Sequence, residues 1–219
     1  MTRSDRERPP TPGSKAQTTE SNQKIVRANG MHLCVQTSGD RRRWTDFLTH
    51  RWPTALGIAL AALAAFDLED GLEFAALTVL MPLVYLGAAA LDRRRFAWVM
   101  LLAGLAVLVV VPSTSEVVPS VVFLVAALVF LVLGVARGQL RKPGGIALQT
   151  AGMLAFGSTV LVALYVDPDL GGKLVAIAIL GHAAWDAYHY LRNRVVPRSY
   201  AEFCAVVDLL LGAAILFMT

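Results

Sequence analysis

The feature that most constrains this chain is a run of seven apolar blocks beyond Trp52, separated by short polar connections. They cover roughly 53–67, 72–91, 96–112, 117–136, 145–166, 171–191 and 200–218. Six are long enough to cross a hydrocarbon core of ~30 Å as helices rising ~1.5 Å per residue. The first is short. It gains length if its helix starts back near Trp44, with His50 and Arg51 at headgroup level. Blocks of this length point to helices solvated by lipid rather than packed in an aqueous core. Composition agrees, at 56% hydrophobic and 16% charged residues, where a soluble domain carries about a quarter charged.

The connections then set an orientation. Asp67, Glu69, Asp70 and Glu73 separate blocks one and two, and Asp92 to Arg95 ("DRRR") separate two and three. Glu116 comes next, followed by Arg137, Arg141 and Lys142, then Asp167, Asp169 and Lys173, and last Arg192, Arg194 and Arg198. Acidic and basic connections alternate, the pattern expected when every block spans and basic loops stay cytoplasmic. The sequence therefore predicts an all-α, seven-transmembrane-helix bundle over 52–219, N-terminus cytoplasmic and C-terminus outside, in a bacterial cytoplasmic membrane. Gly57, Gly87, Gly104, Gly134, Gly152 and Gly157 suit close helix packing in lipid, and Pro82 predicts a kink in the second helix.

Residues 1–51 form a hydrophilic tail with ten basic and five acidic side chains. In a membrane protein this charge reads as a cytoplasmic retention signal, and no nucleic-acid partner is expected. Residues 1–23 are too polar to offset the entropy of ordering. No apolar signal segment opens the chain, so the first helix is expected to act as the insertion signal. The stretch "KIVRANGMHLCVQTSGD" (24–40) predicts a short hairpin turning at Asn29-Gly30. Cys34 and Cys204 lie far apart in chain and environment, which argues against a disulfide framework.

Polar chemistry concentrates late in the chain. The first four helices offer little beyond Thr78 and Tyr85. The fifth adds Gln149, Thr150, Ser158 and Thr159, which read as packing and back-bonding groups. In "GHAAWDAYHYLRNR" (181–194), His182, Asp186 and His189 fall within about 60° on one helical face. Cys204 and Asp208 share a face of the last helix. Ionisable groups inside a membrane face the bundle interior, so these two faces are expected to meet. Depth along an antiparallel pair predicts three contacts: His182 with Asp208, Asp186 with Cys204, and His189 with Glu202.

These residues are the candidate site. His182, Asp186 and Asp208 are the candidate catalytic groups, and His182, Asp186, His189, Cys204 and Asp208 the candidate ligands for a divalent metal such as zinc. The two histidines are about 10.5 Å apart along the axis, whereas zinc–nitrogen bonds are about 2.0–2.1 Å. One ion held by both would be strained. Asp186 with one histidine, completed by Asp208 or Cys204, is feasible, and so is Asp186 bridging two ions. The pattern leaves several functions open. A metal or acid–base site could act on a membrane-soluble small molecule, a proton or solute pathway could run through it, haem or quinone could bind, or a polar clasp could only fix helix packing. Trp185, Tyr188 and Tyr190 also fit an interfacial aromatic belt.

Three resemblances bear on these readings. The "GHxxWDxxH…CxxxD" layout resembles bacterial multi-pass membrane proteins without an assigned activity. Residues 24–40 alone resemble the opening strands of α/β-hydrolases, yet no G-x-S-x-G elbow follows, so no hydrolase residue carries over. Seven helices with intramembrane His and Asp groups resemble the metal hydrolases of the ceramidase and progestin/adiponectin-receptor type, which implies a zinc-activated water acting on a lipid amide. This chain lacks that family's paired histidines on the last helix and its early histidine, so no residue is carried over from it either. A retinal protein is excluded, because the last helix has no lysine.

Overall fold

The computed structural model describes residues 38–66, 68–110, 117–143 and 145–218. They form seven α-helices: α1 (Ser38–Phe66), α2 (Ala75–Leu91), α3 (Phe96–Val110), α4 (Val117–Ala136), α5 (Ile146–Ala163), α6 (Pro168–Arg192) and α7 (Arg198–Met218). Single 3₁₀ turns at Gly71–Phe74 and Gln139–Arg141 precede α2 and α5. No strand occurs among the described residues. The disordered segment expected over 1–23, Cys34 and most of the hairpin expected over 24–40 lie outside them. Within that hairpin segment only Ser38–Asp40 is described, and it is the first turn of α1. The first helix thus starts even before Trp44. Residues from Phe47 onward make one compact unit.

The helix boundaries follow local chemistry. Asp70 accepts from the backbone N–H of Leu72 at 2.8 Å and of Glu73 at 3.2 Å, which starts the turn into α2. Asp167 accepts from Asp169 N–H at 3.1 Å with Pro168 as the first helical residue, so α6 begins on a capped proline start. At the other end of the bundle α2 and α6 stop on left-handed residues, Asp92 (φ 54°) and Asn193 (φ 49°). These residue types tolerate that region best after glycine.

α2 is the axis of the bundle. Every residue in it except Leu77 and Leu91 is buried, as expected for a helix apolar on all sides. It continues through Pro82 as one helix. α3, α4, α5 and α6 pack around it, and α6 and α7 form the most extensive helix pair. Small residues set these approaches. A Cβ at Gly57 would lie 3.0 Å from the Phe203 carbonyl, at Gly104 2.2 Å from Leu80 and at Gly134 2.1 Å from Ile146. Gly171 is tighter in a different way, because its Cβ would meet the backbone carbonyl of Ala163 at 2.5 Å.

Four segments are long and apolar enough to cross a membrane: Gly71–Leu91, Val117–Ala136, Ile146–Ala163 and Arg198–Met218. Arg51–Phe66 and Phe96–Val110 are apolar but shorter. α6 is longer than any of the four at 25 residues, and it falls outside them because His182, Asp186 and His189 interrupt its apolar run. Leu63, Leu102, Val109, Leu128, Val132, Leu154 and Leu209 project from the outer faces, each more than half exposed. Such a surface suits hydrocarbon rather than water, and it associates the protein with a membrane.

The contrast between glycines gives a stability test. Gly171→Ala is expected to lower stability in detergent by about 1–3 kcal/mol, because backbone rather than a flexible side chain opposes the methyl. At Gly157 the nearest atom is a leucine methyl at 3.3 Å, so Gly157→Ala should be close to neutral. Thermal unfolding of the two variants checks the order.

Candidate functional site

α6 places His182 and Asp186 one turn apart on the face toward α7 and α2, and α7 brings Asp208 against them. His182 Nδ1 lies 2.8 Å from Asp208 Oδ2 and 3.4 Å from Asp186 Oδ2. From the central helix, the Tyr85 hydroxyl donates to Asp186 Oδ1 at 2.5 Å. Tyr85, His182, Asp186 and Asp208 are each at most 1% exposed. Three helices thus meet in one buried line of polar groups, Tyr85–Asp186–His182–Asp208.

An aromatic wall seals this line. Tyr85 packs edge-on to His182 and Tyr200, with ring centroids 5.7 and 6.0 Å away. Phe156 closes the α5 side, 5.1 Å from His182, and Trp185 stands against Phe156 at 6.1 Å. Gly152 makes room for Trp185, since a Cβ there would meet the indole at 2.8 Å. Inside this wall the low dielectric strengthens each polar contact and raises the cost of leaving a group unpaired.

The arrangement reproduces part of the expected pairing and replaces the rest. His182 and Asp208 are in contact, as depth predicted. Asp186 takes Tyr85 rather than Cys204, which sits beside the Tyr200 hydroxyl as a buried free thiol. His189 does not meet Glu202. Its Nδ1–H donates to the Trp185 carbonyl at 2.9 Å and its Nε2 accepts from the Gln149 amide at 3.0 Å. Glu202 instead accepts from Arg51 at 3.4 Å and from the Thr54 hydroxyl. The reason is geometric. A hairpin treated as two helices has only one partner per face, whereas α6 also touches α2 and α5, and each supplies a polar side chain.

Of the five candidate ligands, three converge. One donor atom each from His182, Asp186 and Asp208 lies within 4.8 Å of the others. His189 and Cys204 stand outside that group. Tyr85 has a place in the site that sequence reasoning passed over. The available signal was its setting, a phenol hydroxyl in an otherwise apolar helix, which must find a partner when buried.

Two polar atoms in the cluster have no hydrogen-bond partner among the described residues: Asp186 Oδ2 and His182 Nε2. A neutral imidazole carries one N–H, and here Nδ1–H is directed to Asp208. It cannot also serve Asp186. With both carboxylates ionised the cluster is one hydrogen-bond donor short, and a proton shared by Asp186 and Asp208 would also complete it.

These contacts predict which residues are energetically coupled. Tyr85→Phe and Asp186→Asn should be non-additive by about 0.5–3 kcal/mol in a double-mutant cycle. His189→Ala and Glu202→Gln should add within about 0.5 kcal/mol. The reverse pattern, from unfolding of the purified variants, would show that the helix-pair assignment and not the three-helix cluster is correct. No protein-family model, curated protein or solved structure matches this chain, so its function is argued from this geometry.

Proposed function

We propose that this is a seven-span integral membrane protein of a bacterial cytoplasmic membrane whose His182, Asp186 and Asp208 hold one divalent metal ion, such as zinc, for chemistry on a membrane-soluble substrate. The observation that carries the proposal is the convergence of three buried donor atoms, one each from His182, Asp186 and Asp208, on one point. Two carboxylates converge on one imidazole nitrogen that has a single hydrogen to give, and Asp186 Oδ2 is left without one. His182, Asp186 and Asp208 are the residues that would hold a cation there.

Charge and spacing support the same reading. Two carboxylates and a neutral imidazole around a doubly charged ion form a neutral unit, the form that burial penalises least. Tetrahedral bonds of about 2.0–2.1 Å put donors about 3.3 Å apart. The His182–Asp186 separation of 3.4 Å matches, and the His182–Asp208 separation of 2.8 Å needs to open by about half an ångström. One nitrogen and two oxygens suit zinc, and also manganese or iron. Such an ion would polarise a carbonyl or a water. The protein's own groups orient the site: Tyr85 fixes the Asp186 carboxylate, and the aromatic wall excludes bulk water. His182 lies roughly 15 Å along α6 from Arg192, so the proposed substrate would have to enter from the bilayer and part the aromatic wall.

The orientation rests on the connections. Those at the Asp92, Lys142 and Asn193 end are basic, and those at the Asp70 and Asp167 end are acidic, which argues for a cytoplasmic basic end. A reporter that matures only outside the cytoplasm should be active when fused after Thr219 and inactive when fused after Arg95. Activity at both points, or the reverse order, would remove the seven-span arrangement.

The metal is tested by elemental analysis of purified protein. Wild type should hold one divalent ion per chain. His182→Ala, Asp186→Ala and Asp208→Ala should lose it, and His189→Ala and Cys204→Ala should keep it. Tyr85→Phe should weaken the affinity roughly 10- to 100-fold, as loss of a group orienting a ligand does. One observation favours a second reading, in which the cluster is a clasp between α6 and α7: the 2.8 Å contact of His182 with Asp208 is an ordinary hydrogen-bond length. Wild type without stoichiometric metal, together with lower thermal stability of the single variants His182→Ala and Asp208→Ala, would establish the clasp.

A further inference from the structure

Three connections meet at the basic end of the bundle: Asp92–Arg95 after α2, Gln139–Pro143 before α5, and Asn193–Pro197 between α6 and α7. Between them is a cavity of about 260 Å³ lined by four cations, Arg93, Arg94, Lys142 and Arg194, and one carboxylate, Asp92. Two of the cations already have structural partners. Lys142 Nζ pairs with Asp92 Oδ2 at 2.6 Å, which neutralises the carboxylate. Arg94 donates to the Asn193 side chain and to the Val196 carbonyl at 2.8 Å. Arg93 and Arg194 are exposed, and their side chains have no ion pair or hydrogen bond among the described residues.

The turn that presents Arg194 is strained. Val196 N–H returns to the Arg194 carbonyl at 2.8 Å, closing a three-residue turn around Val195 at φ 68°. A β-branched residue in that region is a true outlier, and this form of γ-turn is rare. Local strain of this kind costs on the order of 1–3 kcal/mol and persists only where the surroundings enforce it. Arg94, bonded on both sides of Val195, is what enforces it. A second cavity of about 270 Å³, lined by Pro143, Tyr188, His189, Arg192 and Arg194, adjoins the first through Pro143 and Arg194. Arg192 is occupied there, stacked over the Tyr188 ring at 5.6 Å.

We propose that the first cavity binds a phosphate group between Arg93 and Arg194, as the headgroup of an anionic membrane lipid or as free phosphate. Retaining basic loops in the cytoplasm requires only charge, anywhere in each loop. It does not require a shared cavity, a carboxylate silenced by lysine, or a strained valine clamped by a third arginine. Unpaired guanidiniums facing one concave space supply the forked donors that phosphate oxygens take up bidentately. α5 adds its N-terminus beside the cavity, where Gly145 brings no side-chain cap to the first-turn N–H groups. The site is independent of the metal cluster, and either can fail without the other.

The test uses full-length protein in a neutral detergent at low salt, titrated calorimetrically with short-chain phosphatidylglycerol, short-chain phosphatidylcholine and inorganic phosphate. Saturable binding of phosphatidylglycerol alone identifies a lipid headgroup, and binding of inorganic phosphate as well identifies the free anion as sufficient. In either case Arg93→Gln with Arg194→Gln should weaken binding roughly 10- to 100-fold. Arg93→Lys with Arg194→Lys should retain part of it, and Arg137→Gln with Arg141→Gln should leave it unchanged. Because the two cavity arginines have no structural partner, their removal should not shift thermal unfolding. No saturable binding of either anion, or an equal loss in the Arg137 and Arg141 pair, overturns the proposal.

Discussion

Asp186 is a carboxyl group with no exposed surface, in the middle of a bundle built from leucine, valine and alanine. An unpaired polar group in such a place costs several kcal/mol, so the helices around it must bring partners or the bundle does not close. Tyr85 and His182 do so for Asp186, and the polar groups along α6 together draw on three neighbouring helices. α2 offers Tyr85, α7 offers Asp208 through His182, and α5 offers Gln149 to His189 one turn further along. Apolar packing in lipid is weakly directional, since a leucine face is as content against an acyl chain as against another helix. The polar line supplies what packing alone does not, a fixed rotation and depth for α6 relative to three neighbours.

That fixed depth links the buried cluster to the bundle's basic end. The His182–Asp208 contact spans 26 residues of one helical hairpin, and a slip of one residue at the turn moves the partners about 1.5 Å past one another. The turn at Asn193–Pro197 leaves little room for slip. Arg94 holds it at Asn193 and at Val196 across a residue in a disfavoured conformation. The same guanidinium that shapes the basic cavity thereby sets the register that the polar cluster needs.

Much of this was legible in the sequence, and the boundary is physical. The helices were legible because bilayer-length apolar blocks have few other uses. The shared face of His182, Asp186 and His189 was legible because helical periodicity is local. The His182–Asp208 pair followed from depth along one hairpin. What a single hairpin could not convey was the third partner. Tyr85 is about 100 residues from Asp186, and nothing in the periodicity of either helix states that α2 runs down the centre. The same blindness assigned Cys204 to Asp186 and Glu202 to His189, where Tyr85 and Gln149 make the hydrogen bonds instead. Helix α6 shows the converse. Its length is that of a span, but its polar groups lower its mean hydropathy until only its packing explains its position.

The cluster's composition also limits what it can do. Three donors from two helices, with one supporting hydroxyl from a third, make a site whose geometry depends on helix packing rather than on a loop. Such a site is held more accurately than one built on mobile segments, and it is correspondingly hard to adapt to large substrates. The aromatic wall of Tyr85, Phe156 and Tyr200 leaves the ring edges of His182 in a dry environment. There a charge has no water to screen it, and the two carboxylates need a compensating cation more than they would at a surface. A proton serves one of them at a time. A divalent ion would serve both, and on the metal reading proposed above that is the advantage of an ion over protons shared among the three groups.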